Sequence, residues 1–506
     1  MDLLTMLAEQ YADKPALIED RSGEAIRRLS YRQLEAASNR MAHVFQDLGA
    51  EPGTRILWCG KNSNEVVMCG HAARKVGAVS VPLNYRLTPV EAAFVVDDCD
   101  ASIVLLDAEF VPLFEGMHEQ IPRVAHVLVF AGEPGKDMQR IEPLMAQASD
   151  TPVEAEVFSG SSMIYTSGTT GKPKGAVRHN AGSQEQQMAM LAHIGYQPDD
   201  VYITTGPLYH SGPGGFLAIA TVLGNTSILQ RDFDPEDWLR LVAKYRVSST
   251  FAAPTPIRRI CQLPDDTFKK HDVSSMRIMI ANAAPWSYAL KLAYLEKFPE
   301  ESLFEVYGST ELGVNTILRP EHQRAKPGSC GKPSPGVEIR LYAEDGSIVD
   351  TPNVPGELFV RSPSVFETYH KAQEKFLDDH RDGWQTVGDI AYFDEEGFYF
   401  ICDRKKDMII SGGMNIYPAE IEDALEHHDD VLEAAVFGAP NEEWGESVHA
   451  CVVKRPDAAL DTEALVSYAR ERLAGYKVPR SIAFVEDIPK TGSGKILKRA
   501  LREKFA

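Results

Sequence analysis

Apolar positions along residues 1 to 160 fall into two alternating patterns, one with helical spacing and one of short continuous runs. Thr5 to Tyr11 is a short amphipathic stretch, and Ser30-Tyr31-Arg32-Gln33-Leu34-Glu35 has the polar opening of a capped helix. Arg55 to Trp58 and Ala78-Val79-Ser80-Val81-Pro82 read as strands on either side of a helix over Ser63 to Val76. A β–α alternation of this kind predicts an α/β layered sheet. Residues 131 to 157, with Gly, Pro, Asp and Ala, read as a connection. The strand pattern returns at Val201 to Thr205, Ser249 to Ala253, Ile278 to Ile280 and Leu303 to Val306, with a helix over Ser287 to Lys297. Beyond residue 430 the segments shorten. Ala434 to Phe437 reads as a strand and Glu463 to Leu473 as a helix, which predicts a small α+β lobe. The fold class is α/β: a large N-terminal domain of layered α/β subdomains plus a small α+β C-terminal domain.

Composition narrows the function classes. At 506 residues the chain is too long for one ordinary core. No run of roughly 18 apolar residues exists, so no transmembrane segment is expected. The first ten residues lack a basic n-region and a long apolar run, and the terminal Glu-Lys-Phe-Ala is no peroxisomal address, so a cytoplasmic location is expected. The cysteines at 59, 69, 99, 261, 330, 402 and 451 form no C-x-x-C pair and are expected as buried small hydrophobes. With 52 basic and 73 acidic residues the net charge is −21, which disfavours a nucleic-acid partner. From Arg472 to the end, however, nine Lys/Arg face three Asp/Glu. That tail is either a solvated helix face or a carrier of cation to an anionic ligand. A homo-oligomer is compatible with the sequence.

Residues 163 to 175 carry the densest chemistry: Met-Ile-Tyr-Thr-Ser-Gly-Thr-Thr-Gly-Lys-Pro-Lys-Gly. Gly168, Gly171 and Gly175 let backbone N–H groups approach a ligand, Thr166, Ser167, Thr169 and Thr170 offer hydroxyls, and Lys172 and Lys174 offer charge. That inventory suits phosphate. The spacing is not G-x-x-x-x-G-K-[ST], so no P-loop helix is expected. The order of residues resembles the loop of the adenylate-forming superfamily, which holds acyl-CoA synthetases, peptide-synthetase adenylation domains and beetle luciferases. In that family the loop embraces the β- and γ-phosphates of ATP.

Further stretches carry the same resemblance, between residues 77 and 499. They are Gly77 to Asn84, Pro207-Leu208-Tyr209-His210, Ala281-Asn282-Ala283-Ala284-Pro285, Tyr307-Gly308-Ser309-Thr310-Glu311, Gly383 to Asp389, Asp403 to Glu422, and Pro489 to Leu497. Two depart from the pattern. Asn282-Ala283 stands where relatives have Gly-Gly, and Val387 where they have threonine.

The resemblance implies roles. Tyr307 stacks on adenine, Thr310 bonds the α-phosphate, and Glu311 supplies a hard oxygen to the magnesium accompanying ATP. Asp389 and Arg404 take the ribose. Tyr209, His210, Ala283, Ala284 and Gly308 line the carboxylate substrate pocket, and Gly212 to Phe216 leaves space there. Lys495 bridges carboxylate and α-phosphate, while Gly412, Gly413 and Trp444 flank the pantetheine of coenzyme A. Lys406 is the hinge position, so the domains are expected as 1–403 and a mobile 404–506, with the hinge near 404–407.

The implied activity is an AMP-forming acyl-CoA ligase using ATP, Mg2+ and CoA: carboxylic acid plus ATP gives acyl-AMP and pyrophosphate, then CoA displaces AMP. The apolar, roomy character of Tyr209, Gly214, Gly215, Phe216, Ala283 and Ala284 favours a medium- or long-chain fatty acid, or a bulky alicyclic, aryl or steroid-type acid. Three alternatives stay open: a stand-alone enzyme loading a carrier protein, a luciferase-like oxygenase, and a non-catalytic nucleotide or acyl-ligand sensor.

Overall fold

Ser161–Thr166 and Lys174–Arg178 run antiparallel, with Thr166 opposite Lys174, so the two ends of the glycine-rich loop are fixed by one strand pair. A computed structural model describes residues 2–153, 161–166, 173–178, 183–284, 286–412, 414–441, 443–490 and 496–505. The chain packs as two units. The first holds Met1–Ile280, Ser309–Gly313 and Ser362–Asp378, and the second holds Ala281–Gly308, Val314–Arg361 and Asp379–Ala506.

In the first unit that strand pair belongs to an eight-stranded sheet. Its order is Thr368–Tyr369, Lys174–Arg178, Ser161–Thr166, Val79–Pro82, Arg55–Cys59, Ile103–Asp107, His126–Phe130 and Gln139–Arg140. The central strands are parallel, and their near-continuous apolar runs are explained by burial on both faces. Leu57, Val81, Val104 and Leu106 pack there against the helix Pro89–Asp98. That helix starts at a Thr88/Glu91 capping box with proline in its first turn. The predicted start at Ser30 is likewise a capping box, closed by Gln33, and the helix Tyr31–Asp47 buries Tyr31, Leu34, Met41 and Phe45. A second sheet places Ile278–Ala281, Ser249–Ala252, Val201–Thr204, Thr226–Ile228, Pro15–Glu19 and Arg27–Ser30 side by side.

Two stretches of this unit differ from the sequence reading. Residues 131–157 contain a helix, Ile141–Gln147, as well as a connection. Arg40 donates to the carbonyls of Met145 (3.5 Å) and Ala148 (3.3 Å) at its end, a tertiary satisfaction of orphan acceptors that local composition does not reveal. The glycines after His210 leave no gap at 212 and 214, because Ser211–Val222 is a helix. A β-carbon at Gly212 would strike the Phe251 ring, and one at Gly214 would lie 2.9 Å from the Leu208 carbonyl oxygen. Glycine there permits close packing.

The second unit contains an antiparallel sheet of Ile348–Val349, Glu338–Tyr342, Gly356–Arg361, Trp384–Phe393 and His380–Arg381, with Tyr399–Arg404 also paired to Trp384–Phe393. Its last sheet joins Met414–Ile416, Ile409–Ser411, Gly445–Lys454 and Val431–Asn441, with Ser481–Phe484 beside Gly445–Lys454. The helices Pro418–Glu426 and Thr462–Arg470 contribute Ile421, Leu425 and Leu465 to its core. The strand expected over 434–437 extends to Val431–Asn441 because its partner pairs along the whole length. All seven cysteines are free, and Cys261 and Cys402 are only partly buried, unlike the other five. Among the described residues no helix is long and apolar enough to cross a membrane.

Candidate active site

In the first unit, the strand pair that flanks the glycine-rich loop meets residues 310 and 311. The Thr166 hydroxyl donates to Glu311 Oε1 at 3.0 Å, and the Tyr369 hydroxyl donates to the same oxygen at 3.1 Å. Thr310 Oγ1 shares a hydrogen bond of 2.7 Å with Ser211 Oγ, at the first residue of the helix that His210 precedes. The backbone here is held as firmly. Arg178 donates to the Thr310 carbonyl (2.7 and 2.9 Å) and to the Ser364 carbonyl (2.7 Å), and the Phe366 N–H donates to the Glu311 carbonyl at 2.7 Å. Lys174 places its ammonium 5.6 Å from the Tyr369 ring centroid. Glu311 is 8% exposed.

This donor set fits a magnesium ion carried by a nucleotide. Among the described residues no group of three or more His, Cys, Asp and Glu could cage a metal. One carboxylate with neighbouring hydroxyls is instead the arrangement in which Mg2+ keeps waters and phosphate oxygens as most of its ligands.

Tyr209 and His210 lie beside each other in the same unit, with ring centroids 4.2 Å apart. Tyr209 is buried and meets Tyr85 edge-on at 5.1 Å, and Tyr85 stacks on Phe110 at 5.0 Å. Burial raises the Tyr209 phenol above its ordinary range, so it stays neutral. Phe216 stacks on Phe251 at 5.2 Å.

In the second unit, antiparallel register sets Asp389 opposite Arg404, and Arg404 Nε lies 3.3 Å from Asp389 Oδ1. The Tyr307 hydroxyl donates to Asp389 Oδ2 at 2.6 Å. Burial, with the Asp389 carboxylate beside it, pushes the Tyr307 phenol well above its usual range, so it remains a donor at neutral pH. Ala283 has φ of 74°, the left-handed region that glycine favours, and the Asn282 amide donates to the Val306 carbonyl at 2.5 Å.

The AMP-binding enzyme pattern matches residues 4–370, and the AMP-binding enzyme C-terminal domain matches residues 420–495. The chain belongs to the AMP-binding enzymes, the adenylate-forming acyl-CoA ligases. A feruloyl-CoA synthase of an Amycolatopsis species is 35% identical to it over 483 residues, 94% of each chain. The long-chain-fatty-acid–CoA ligase FadD13 of Mycobacterium tuberculosis is 33% identical over 481 residues, 95% of this chain and 93% of its own. Among solved structures, ATP-bound MatB from Rhodopseudomonas palustris superposes with a TM-score of 0.88 at 29% identity, over 99% of this chain and 98% of that one. This AMP-forming acid–thiol ligase is therefore a user of ATP and CoA.

Within the ligase, Gly412 and Trp444 are brought together. The Gly412 N–H donates to the Trp444 carbonyl at 2.8 Å, and Gly412, at φ of 57°, lies so close to the indole that a β-carbon would sit 2.7 Å from its Cε3. Arg480 stands 5.1 Å over the same indole. Lys406 is exposed between Lys405, paired with Glu357 at 3.0 Å, and Asp407, paired with Arg502 at 3.1 Å. Lys498 ties Glu422 (2.9 Å) to Asp403 (3.6 Å) beside that stretch.

Ser167, Gly168, Thr169, Thr170, Gly171, Gly413 and Lys495 lie outside the described residues. Tyr209 and His210 belong to the first unit and Ala283, Ala284 and Gly308 to the second. The sequence reading missed Arg178, Tyr369 and Arg480. Tyr369 gains meaning only from pairing with the distant strand Lys174–Arg178, and Arg178 only from side-chain hydrogen bonds to the distant carbonyls of Thr310 and Ser364. Arg480 lies within the basic tail, whose composition shows a charge balance and not a partner.

Proposed function

We propose that the ligase activates an apolar monocarboxylic acid, of the fatty or aryl class, and passes it to CoA. The observation that carries this reading is the convergence of Thr166 and Tyr369 on Glu311, next to Thr310 and Ser211, at the end of the glycine-rich strand pair. In the first step the carboxylate oxygen attacks the α-phosphorus of ATP and pyrophosphate leaves. Two anions must meet, so positioned donors and cations matter more than an acid or a base. Thr310 donates to the α-phosphate, Lys174 and the loop hydroxyls steady the β- and γ-phosphates, and Glu311 holds the metal. Magnesium, when bound there, neutralises charge on the departing pyrophosphate. Lys495 bridges the carboxylate and the α-phosphate. Asp389, with Arg404 and Tyr307 about it, accepts the ribose hydroxyls.

In the second step the CoA thiol adds to the acyl carbonyl and AMP leaves with the electrons of the broken C–O bond. Gly412 and Gly413 give the pantetheine chain backbone to approach, and Trp444 flanks it. Residues 404–506 swing about Lys406 between the two steps. The acid class is supported by the aromatic series Tyr209, Tyr85 and Phe110 beside His210 and by the Phe216–Phe251 stack, which make the surroundings of that histidine apolar. The names of the feruloyl and long-chain relatives point the same way.

The test is pyrophosphate release across a panel of acids, with ATP and magnesium, with and without CoA. Release confined to fatty or aryl acids, with turnover dependent on CoA and AMP as product, supports the reading. Preference for acetate by kcat/KM refutes the acid class, and acid-dependent release indifferent to CoA points to a carrier protein as acceptor.

A further inference from the structure

Residues 362–371 carry none of the motifs by which the site was recognised, yet they form a brace around it. Thr368–Tyr369 is the outermost strand beside Lys174–Arg178, with Tyr369 opposite Ala176. The His370 N–H donates to the Gly175 carbonyl at 2.8 Å, and the Glu367 N–H to the Val177 carbonyl at 3.1 Å. Beyond the strand, Lys371 bonds the Asp98 carbonyl (2.7 Å) and Asp100 (2.9 Å). Before it, Ser362 and Ser364 bond the Gln186 side chain at 3.0 and 3.1 Å. Phe366 meets the Tyr369 ring edge-on at 4.7 Å. The backbone under Tyr369 is thus fixed on both sides, and the ring is 9% exposed.

We infer that Tyr369 is a positioning residue that sets the orientation of the Glu311 carboxylate for its metal. The inference rests on the reading of Glu311 as the ligand. Tyr369 and Thr166 both donate to Oε1, one from each side of the strand pair. With two donors on one oxygen, rotation of the carboxyl plane is arrested, and the Oε2 lone pairs are the ones a cation uses. The ammonium of Lys174 over the face of the same ring keeps that ring in place and links it to the loop's exit strand. A carboxylate held this way loses little freedom on taking a cation, which is how preorganisation raises affinity.

The experiment compares the full chain with Tyr369→Phe and Glu311→Gln, using Mn2+ as the probe. Electron paramagnetic resonance titration in the presence of α,β-methylene ATP, which cannot be cleaved at the reacting bond, gives the Mn2+ Kd directly. Tyr369→Phe should weaken it about tenfold, the scale on which outer partners of a metal ligand act. The Mg2+ concentration for half-maximal adenylation should rise in parallel, with kcat at saturating Mg2+ within about twofold and the thermal midpoint little changed. An unchanged Mn2+ Kd in Tyr369→Phe, while Glu311→Gln binds more weakly, overturns the role of Tyr369 alone. An unchanged Kd in both variants overturns the assignment of Glu311 and the inference with it. Loss of thermal stability with unchanged Mn2+ affinity makes Tyr369 a packing residue and also overturns it.

Discussion

Replacing Gly412 with alanine should separate the two half-reactions. The residue sits at φ of 57°, where an L side chain costs about 1 kcal/mol. Its new β-carbon would meet the Trp444 indole at 2.7 Å, closer than van der Waals contact, so the ring must move. Trp444 is 37% exposed and has room to swing outward, giving up its contact with the Arg480 guanidinium, worth roughly another 1 kcal/mol. The sum is about 2 kcal/mol. If it falls on thiol attack alone, that step slows about thirtyfold. Rapid quench would follow acyl-AMP formation from ATP and acid, and separately thioester formation from synthetic acyl-AMP and CoA. Adenylation should stay within about twofold while the thioester step slows and the KM for CoA rises. Equal losses in both steps, or none in either, would refute the placing of Gly412 and Trp444 at the thiol.

Three further outcomes are expected. Lys495→Ala should lower adenylation by about two or more orders of magnitude, the scale of one transition-state electrostatic contact, and spare thioester formation from synthetic acyl-AMP; loss of both would sink the two-conformation account. Lys498→Met should destabilise the protein by about 3 kcal/mol in urea unfolding, because it leaves the largely buried Glu422 and Asp403 without their cation, and adding Glu422→Gln should recover part of that loss. His71 is buried beside Arg74 and Lys75, and burial first, then those charges, depress its pKa from 6.5 to about 3. It is neutral in the fold and protonates on unfolding, so its contribution is complete above pH 6.5 and is lost as pH falls toward 3. Between pH 6.5 and 5 the loss should be about 2 kcal/mol, and the urea midpoint of His71→Gln should fall by correspondingly less over that range.

What could be read in the sequence was what local order encodes. The strands read over Arg55 to Trp58 and Leu303 to Val306 have their own apolar residues, and the helix cap at Ser30 is written within four residues. Asp389 and Arg404, given to the ribose by resemblance, stand opposite each other through antiparallel register, a juxtaposition that neither local stretch encodes. The helix Ser211–Val222 is not legible in its opening glycines and proline, which read as open space; two of those glycines instead let the helix pack closely on Phe251 and on the Leu208 carbonyl. Arg178 was missed for a related reason. Its partners, the carbonyls of Thr310 and Ser364, are 132 and 186 residues away, and nothing near Arg178 announces them. The two units also divide the chain in a way that sequence order conceals, since 309–313 and 362–378 pack with the first 280 residues. Buried hydrogen bonds across such separations depend on tertiary register and leave no periodic trace.

The sheet that carries the glycine-rich strand pair ends on Thr368–Tyr369 at one side and on Gln139–Arg140 at the other, each two residues long. A strand that short exposes too few unpaired amides and carbonyls to template another chain. Lys371 adds a charged side chain two residues after one of them, and Arg140 places a guanidinium within the other. The brace that steadies Glu311 therefore also blunts the sheet against edge-to-edge association, and lengthening it with β-formers would trade that protection for an adhesive border.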